Sequence, residues 1–169
     1  MRFAASILSL AAGLTLAAGS LPASARGITV AVGSSFTTLD PYQATDLLSR
    51  SVAKSFYEGL YAFDKNLKPV PWLAKSHEVS PDGLSWTFTL QEGVKFHDGT
   101  EFNADAVKLN FERVLNPANH LSRYALLKFI DKVEVLGPYK VRFDLKSPMP
   151  SFLQRLANGT AQMLSLIHI

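Results

Sequence analysis

At the start of the chain the apolar positions follow no period. Phe3 to Ala18 is a continuous apolar run rich in Ala and Leu, preceded by the short basic start Met1-Arg2. Gly19-Ser20-Leu21-Pro22 then breaks any helix, and Ala23-Ser24-Ala25 places small residues in the A-x-A arrangement that signal peptidase needs. A membrane-spanning anchor needs about 20 consecutive apolar residues, more than this run supplies. The pattern predicts a signal peptide over residues 1–25, cleaved before Arg26. No twin Arg precedes the core, so the general export route and a soluble mature chain are expected.

From there the pattern becomes periodic. Ile28 to Val32 is a β-branched run closed by Gly33, which predicts a buried strand. Leu48, Val52, Phe56 and Leu60 recur at four-residue spacing, predicting a helix from a Thr45 cap through Glu58, with Gly59 stopping it in a left-handed conformation. Leu60 to Phe63 reads as a short strand and Asp64-Lys65-Asn66 as a turn. Pro69 and Pro71 impose an extended backbone, and Trp72-Leu73-Ala74 reads as one helical turn that buries Trp72.

Strict alternation follows. Leu84, Trp86, Phe88 and Leu90 alternate with Ser85, Thr87 and Thr89, so this strand should bury one face. Pro81-Asp82-Gly83 joins it to His77–Ser80 in a hairpin. Val94-Lys95-Phe96 reads as a small strand before the turn His97-Asp98-Gly99-Thr100. Asn103 should cap a helix over Ala104–Leu115 whose apolar stripe is Val107, Phe111, Val114 and Leu115, ended by Asn116-Pro117. A weaker helix is expected over Leu121–Phe129. Lys132–Leu136 and Lys140–Leu145 should pair across Gly137-Pro138, and a last helix over Ser151–Ala157 should stop at Asn158-Gly159. Helices interleaved with hairpins predict an α/β lobe with a mixed sheet that is not wholly parallel.

Composition narrows the function classes. With 17 Lys and Arg against 14 Asp and Glu, the net charge is +3, and losing Arg2 with the leader leaves +2. No basic run interleaves with aromatics, so nucleic acid is not an expected partner. The absence of Cys removes disulfides, thiolate metal sites and a lipid-modified N-terminal Cys.

Catalytic patterns are missing. Gly33-Ser34-Ser35-Phe36 lacks the second Gly and the helix of a nucleophile elbow. Asp98 and Glu101 flank a turn and read as turn and helix-start residues. His77, His97 and His120 have none of the close spacings of a metal site, so no metal and no cofactor is expected. The candidate that remains is the loop after the first predicted strand, since ligands in α/β lobes sit beyond the carboxyl ends of strands. Ser34, Ser35, Thr37 and Thr38 supply hydroxyls there and Phe36 an apolar wall. The same residues also fit a solvated loop with a buried Phe36.

The order of motifs from Asp64 to Val114 resembles the extracytoplasmic solute receptors of peptide-type ABC importers, solute-binding protein family 5. These motifs are a Pro-rich loop, a Pro-Asp-Gly turn, an alternating strand, a His-Asp-Gly-Thr turn and a capped amphipathic helix. Within that family, VAVGSSFTTLDPYQATDLLSRSVAKSFYEGL and NPANHLSRYALLKFI are most similar to the receptors of glutathione importers. The resemblance implies a two-lobed, clam-shell periplasmic-binding-protein fold (type II), of which residues 26–163 are the N-terminal part of lobe I. It implies a monomer that holds glutathione or a short peptide between its lobes and delivers it to membrane permease subunits, without catalysis. It carries ligand contact onto Ser35, Phe36 and Thr37, and onto Arg123 and Tyr124. A nickel-chelate or opine receptor on the same fold, a periplasmic peptide chaperone and a secreted hydrolase are the alternatives.

Leu164-Ser165-Leu166-Ile167-His168-Ile169 reads as the in-frame translation of a transposon-end sequencing adaptor, although its Leu and Ile residues also suit a strand end. Natural sequence is accordingly expected to stop at Met163 within a longer protein.

Overall fold

The computed structural model describes residues 29–159 and 161–165. The predicted signal peptide, its cleavage site and residues 166–169 lie outside them. The chain divides into two units, Met1–Val32 and Gly33–Ile169.

In the first unit only Thr29–Val32 is described, and it forms no strand; Val30 and Val32 are exposed. A strand persists only where a neighbour takes its N–H and C=O groups, and among the described residues none pairs with this segment.

The second unit runs α1 (Leu47–Ala53), β1 (Tyr61–Phe63), β2 (Pro69–Pro71), β3 (Ala74–Val79), β4 (Ser85–Leu90), α2 (Ala104–Leu115), a 3₁₀ turn (Pro117–Asn119), α3 (Tyr124–Leu127), β5 (Ile130–Gly137), β6 (Lys140–Leu145) and α4 (Phe152–Ala157). The strands form a two-stranded ribbon, β1–β2, and a four-stranded sheet ordered β3-β4-β6-β5. The described pairs are all antiparallel, so the hairpins are as expected and no parallel strand joins them.

One face of the larger sheet carries the core. Trp86, Phe88 and Leu90 of β4 and Val141, Phe143 and Leu145 of β6 are buried together, since alternate residues share a face. Phe111 of α2 meets Phe143 edge-on at 4.7 Å, and Phe152 of α4 meets Trp86 edge-on at 5.3 Å. The opposite face is polar: Ser85 Oγ donates to Asp144 at 2.7 Å, and Arg142 pairs with Glu134 and Asp144.

Local signals were strongest where caps and turns agree with the period. Asn103 caps α2 by accepting the Ala106 N–H at 2.9 Å. The β3–β4 turn closes around Asp82, which accepts the Leu84 N–H at 2.9 Å, with Gly83 at φ +70° where only glycine is unstrained.

Further expectations need correction in this unit. Helix α1 starts from Asp46 and ends at Ala53, because Asp46 caps more strongly than Thr45 and the Ser51 and Ser55 hydroxyls turn back onto Leu47 O and Ser51 O. Trp72 is 51% exposed, because Trp72 and Ala74 donate their N–H groups to Leu60 O in an extended bend, which faces Leu73 and Ala74 inward instead. Val94–Phe96 forms a single bridge, Lys95 to Glu101, and no strand. The helix expected over Leu121–Phe129 shrinks to one turn, α3.

Candidate functional site

The loop after Gly33 lies over the start of α1 and is tied to it by hydrogen bonds. Asp46 Oδ1 accepts the Ser49 N–H at 2.7 Å, which caps the helix. Its other oxygen, Oδ2, accepts the Thr37 hydroxyl at 2.7 Å. Thr37 N–H donates to Ser49 Oγ at 2.8 Å, and the two hydroxyls lie 3.2 Å apart. Together the Ser49 backbone N–H, the Ser49 side chain and the Thr37 hydroxyl hold the Asp46 carboxyl well below the usual carboxylate range.

A second set of contacts holds residues 40–44. Asp40 pairs with Arg113 of α2 at 2.5 Å, and the same guanidinium sits 6.0 Å from the centre of the buried Tyr42 ring. Burial raises the Tyr42 hydroxyl pKa above its ordinary value. Arg123 approaches from the other side, its N–H donating to Tyr42 O at 3.0 Å and Nη2 to Ala44 O. Beside it, Ser122 N–H and Oγ both donate to Gln43 Oε1, at 3.0 and 3.2 Å. Arg123 is buried, and desolvation, with the nearby Arg50, lowers its pKa.

The five residues singled out from sequence therefore divide. Ser35 is exposed and makes no hydrogen bond among the described residues. Phe36 is 46% exposed, which excludes the buried-Phe version of this loop. Thr37 uses both its N–H and its hydroxyl inside the protein. Arg123 is committed to the backbone of residues 42–44, and Tyr124 is half-buried at the first position of α3. Both motifs thus act on one stretch, residues 37–49. Asp40, Asp46, Ser49 and Arg113 do the holding and were missed in the sequence. Only Asp46 had a readable signal, an Asp three residues before a Ser at a helix start.

This loop lies open. The two described clefts are elsewhere: one of about 570 Å³, lined by Tyr57, Val94, His97, Phe102 and Met163 among others, and one of about 320 Å³ that includes Tyr61, Trp72 and Gln162. Phe36 and Leu39 of this loop are exposed, as is Leu47, 73% exposed, at the start of α1. Hydroxyls flanked by apolar groups on an open surface can form one wall of a cleft. Among the described residues no group of three or more His, Asp or Glu could hold a metal, and no helix is long and apolar enough to cross a membrane. Asp98, at the turn before α2, accepts the Thr100 N–H at 2.7 Å and the Ser165 hydroxyl, and Glu101 accepts the Tyr139 hydroxyl.

Comparison with known proteins points the same way. Residues 68–165 match the family described as bacterial extracellular solute-binding proteins, family 5 Middle. Over 157 residues, 92% of the chain, it is 50% identical to the glutathione-binding protein GsiB of Pectobacterium atrosepticum. The chain spans about 30% of the length of that curated relative. Among solved structures it superposes with TM-score 0.74 on the periplasmic binding protein AgaA of A. tumefaciens R10 in complex with agropinic acid. That pair is 31% identical, over 79% of this chain and 27% of the other. NikZ of Campylobacter jejuni in complex with Ni(L-His) gives TM-score 0.68 at 36% identity, over 78% of this chain and 26% of the other.

Proposed function

The chain belongs to the bacterial extracellular solute-binding proteins of family 5, and we propose that it is the first-lobe portion of a periplasmic receptor that delivers glutathione or a short peptide to an ABC importer. That family is one of binding proteins, in keeping with the reading of the chain as a binding protein and not an enzyme. The observation that carries the choice of ligand is the 50% identity, over nearly the whole chain, to a relative named for glutathione binding.

In this proposal Ser35 and Phe36 form the wall that lobe I offers to the ligand, and Tyr124 stands at its margin. Arg123 and Thr37 shape that wall from behind. The groups that pair the ligand's carboxylates and ammonium then lie on the remaining part of the receptor. The open surface around Ser35 supports this division, because a ligand held between two lobes leaves one lobe alone with half a cleft. The leader over residues 1–25 would direct export, and mass spectrometry of periplasmic protein should find Arg26 first.

A second reading, a receptor for a nickel chelate or an opine-like acid, draws on the bound molecules of NikZ and AgaA. Calorimetry on the full-length protein separates the two. Glutathione and dipeptides should bind, and a nickel chelate should not. The present chain should bind at least about 10³-fold more weakly, because losing ~4 kcal/mol of contacts suffices for that. Equal affinity in the two chains, or binding of the nickel chelate alone, overturns the proposal.

A further inference from the structure

We propose that Thr37 is a positioning residue: with Asp46 and Ser49 it closes a ring of hydrogen bonds that sets the Ser34–Phe36 turn in its ligand-receiving shape before ligand arrives. The inference rests on the loop being the binding wall, as proposed above.

The proton directions in the ring follow from the partners. Asp46 is an ionised carboxylate and can only accept, so Thr37 Oγ1 must donate to Oδ2 and the Ser49 N–H to Oδ1. Ser49 Oγ already accepts the Thr37 N–H, so its own proton is directed to Thr37 Oγ1, 3.2 Å away, or to the Asp46 carboxylate. Every donor of the ring is then satisfied within it: Thr37 N–H by Ser49 Oγ, Thr37 O–H by Asp46 Oδ2, Ser49 N–H by Asp46 Oδ1, and Ser49 O–H by Thr37 Oγ1 or the Asp46 carboxylate. No donor is left over for a ligand. Ser49 is fully buried, which anchors the ring to the body of the lobe.

Two consequences follow. The Thr37 hydroxyl faces the helix, so the outward surface of the loop is left to Ser35 and Phe36. The loop also cannot swing away from α1 without breaking Thr37–Asp46 and Thr37–Ser49 together. On the far side of the ring, the Asp40–Arg113 pair and the Arg123 contacts to Tyr42 O and Ala44 O hold the connecting turn. Residues 37–44 are thus held at both ends, and the Ser34–Phe36 stretch that leads into them is anchored at its Thr37 end, which lowers the cost of ordering it around a ligand.

The test uses the full-length receptor and reads the loop in the absence of ligand. Thr37→Val keeps the shape of the side chain and removes its donor. Ser49→Ala leaves α1 capped through its backbone N–H to Asp46 but removes the acceptor of the Thr37 N–H. Exchange of the amide at position 37, whose N–H is held by Ser49 Oγ, should rise by at least about tenfold in each variant without ligand. Glutathione affinity should fall by a similar factor in both, with no further loss in the double variant, because both break one ring. Thr37→Ser, which restores the hydroxyl, should recover both readouts. Unchanged exchange in the ligand-free variants overturns the proposal, as do affinity losses that add. If the wild-type receptor ignores glutathione, the ligand reading fails, and the exchange measurement still decides the ring.

Discussion

The buried side-chain amide of Asn110 holds the backbone of Leu164 by both ends: Nδ2 donates to Leu164 O at 2.8 Å, and Oδ1 accepts the Leu164 N–H at 2.9 Å. The same Nδ2 also donates to Ala106 O one turn back in α2. An amide that matches a peptide group in this way joins α2 to a segment 54 residues further along the chain. Because the contact is to main chain, it does not depend on which side chain stands at position 164. Asn110→Leu in the full-length protein should cost roughly 1–3 kcal/mol, since it strands a buried N–H and C=O. Chemical denaturation measures this.

Trp86 is 7% exposed and lies between two rings: it stacks on His77 at 5.5 Å and meets Phe152 edge-on at 5.3 Å. Trp86→Ala should lower stability by roughly 3–5 kcal/mol, the range for large core aromatics. Its buried indole N–H makes no hydrogen bond among the described residues, so Trp86→Phe should cost much less than the Ala change. A midpoint unmoved by Trp86→Ala contradicts the core assignment.

Gly59 was expected to end a helix in a left-handed conformation, yet it is not among the glycines with positive φ. Its requirement is space. A Cβ there would lie 3.2 Å from both Leu156 O and Tyr61 O, where Gly59 bridges to Gln162. Backbone oxygens yield little, so Gly59→Ala should destabilise by about 1–3 kcal/mol through overpacking. Gly93→Ala is the contrasting case: nothing lies within 4 Å there, but φ is +72°, so backbone strain alone sets its cost.

His77 sits beneath Trp86 and shares a 2.6 Å hydrogen bond between Nδ1 and the Tyr61 hydroxyl. Burial lowers its pKa from the ordinary histidine value. A lowered folded-state pKa means that the neutral ring is preferred in the native protein. Its contribution to stability is therefore complete above the unfolded pKa of about 6.5 and declines as pH falls toward the folded value. Stability measured between pH 8 and pH 5 should decrease on acidification, and less steeply in His77→Gln. A His77 titration above the ordinary value by NMR would reverse the sign and sink the argument.

Much of the larger sheet was legible without coordinates, for a local reason. In β4 and β6, alternation along a few residues states which face is buried, and in α2 the Asn103 cap and the four-residue stripe coincide. Each signal is complete within one element. The helix around Leu48 misled because its spacing was apolar while its serines competed for the backbone. Trp72 misled because large aromatics are usually buried, whereas its direction depends on how Leu60 receives the bend.

The candidate site divides along the same line. Short hydroxyls and Phe36 after a predicted strand mark the loop, and the family resemblance adds Arg123 and Tyr124; all of that is present in residue order. What order alone left open is which of these groups is free. Thr37 and Ser35 are equivalent as sequence, two hydroxyls in one loop, until folding places Asp46 and Ser49 beneath only one of them. Nor does residue order show that Tyr42 O and Ala44 O lie within reach of Arg123. Patterns of period two or four record whether a side chain faces a core. Whether a polar group is already hydrogen-bonded depends on partners many residues away, and only the packed chain brings those together.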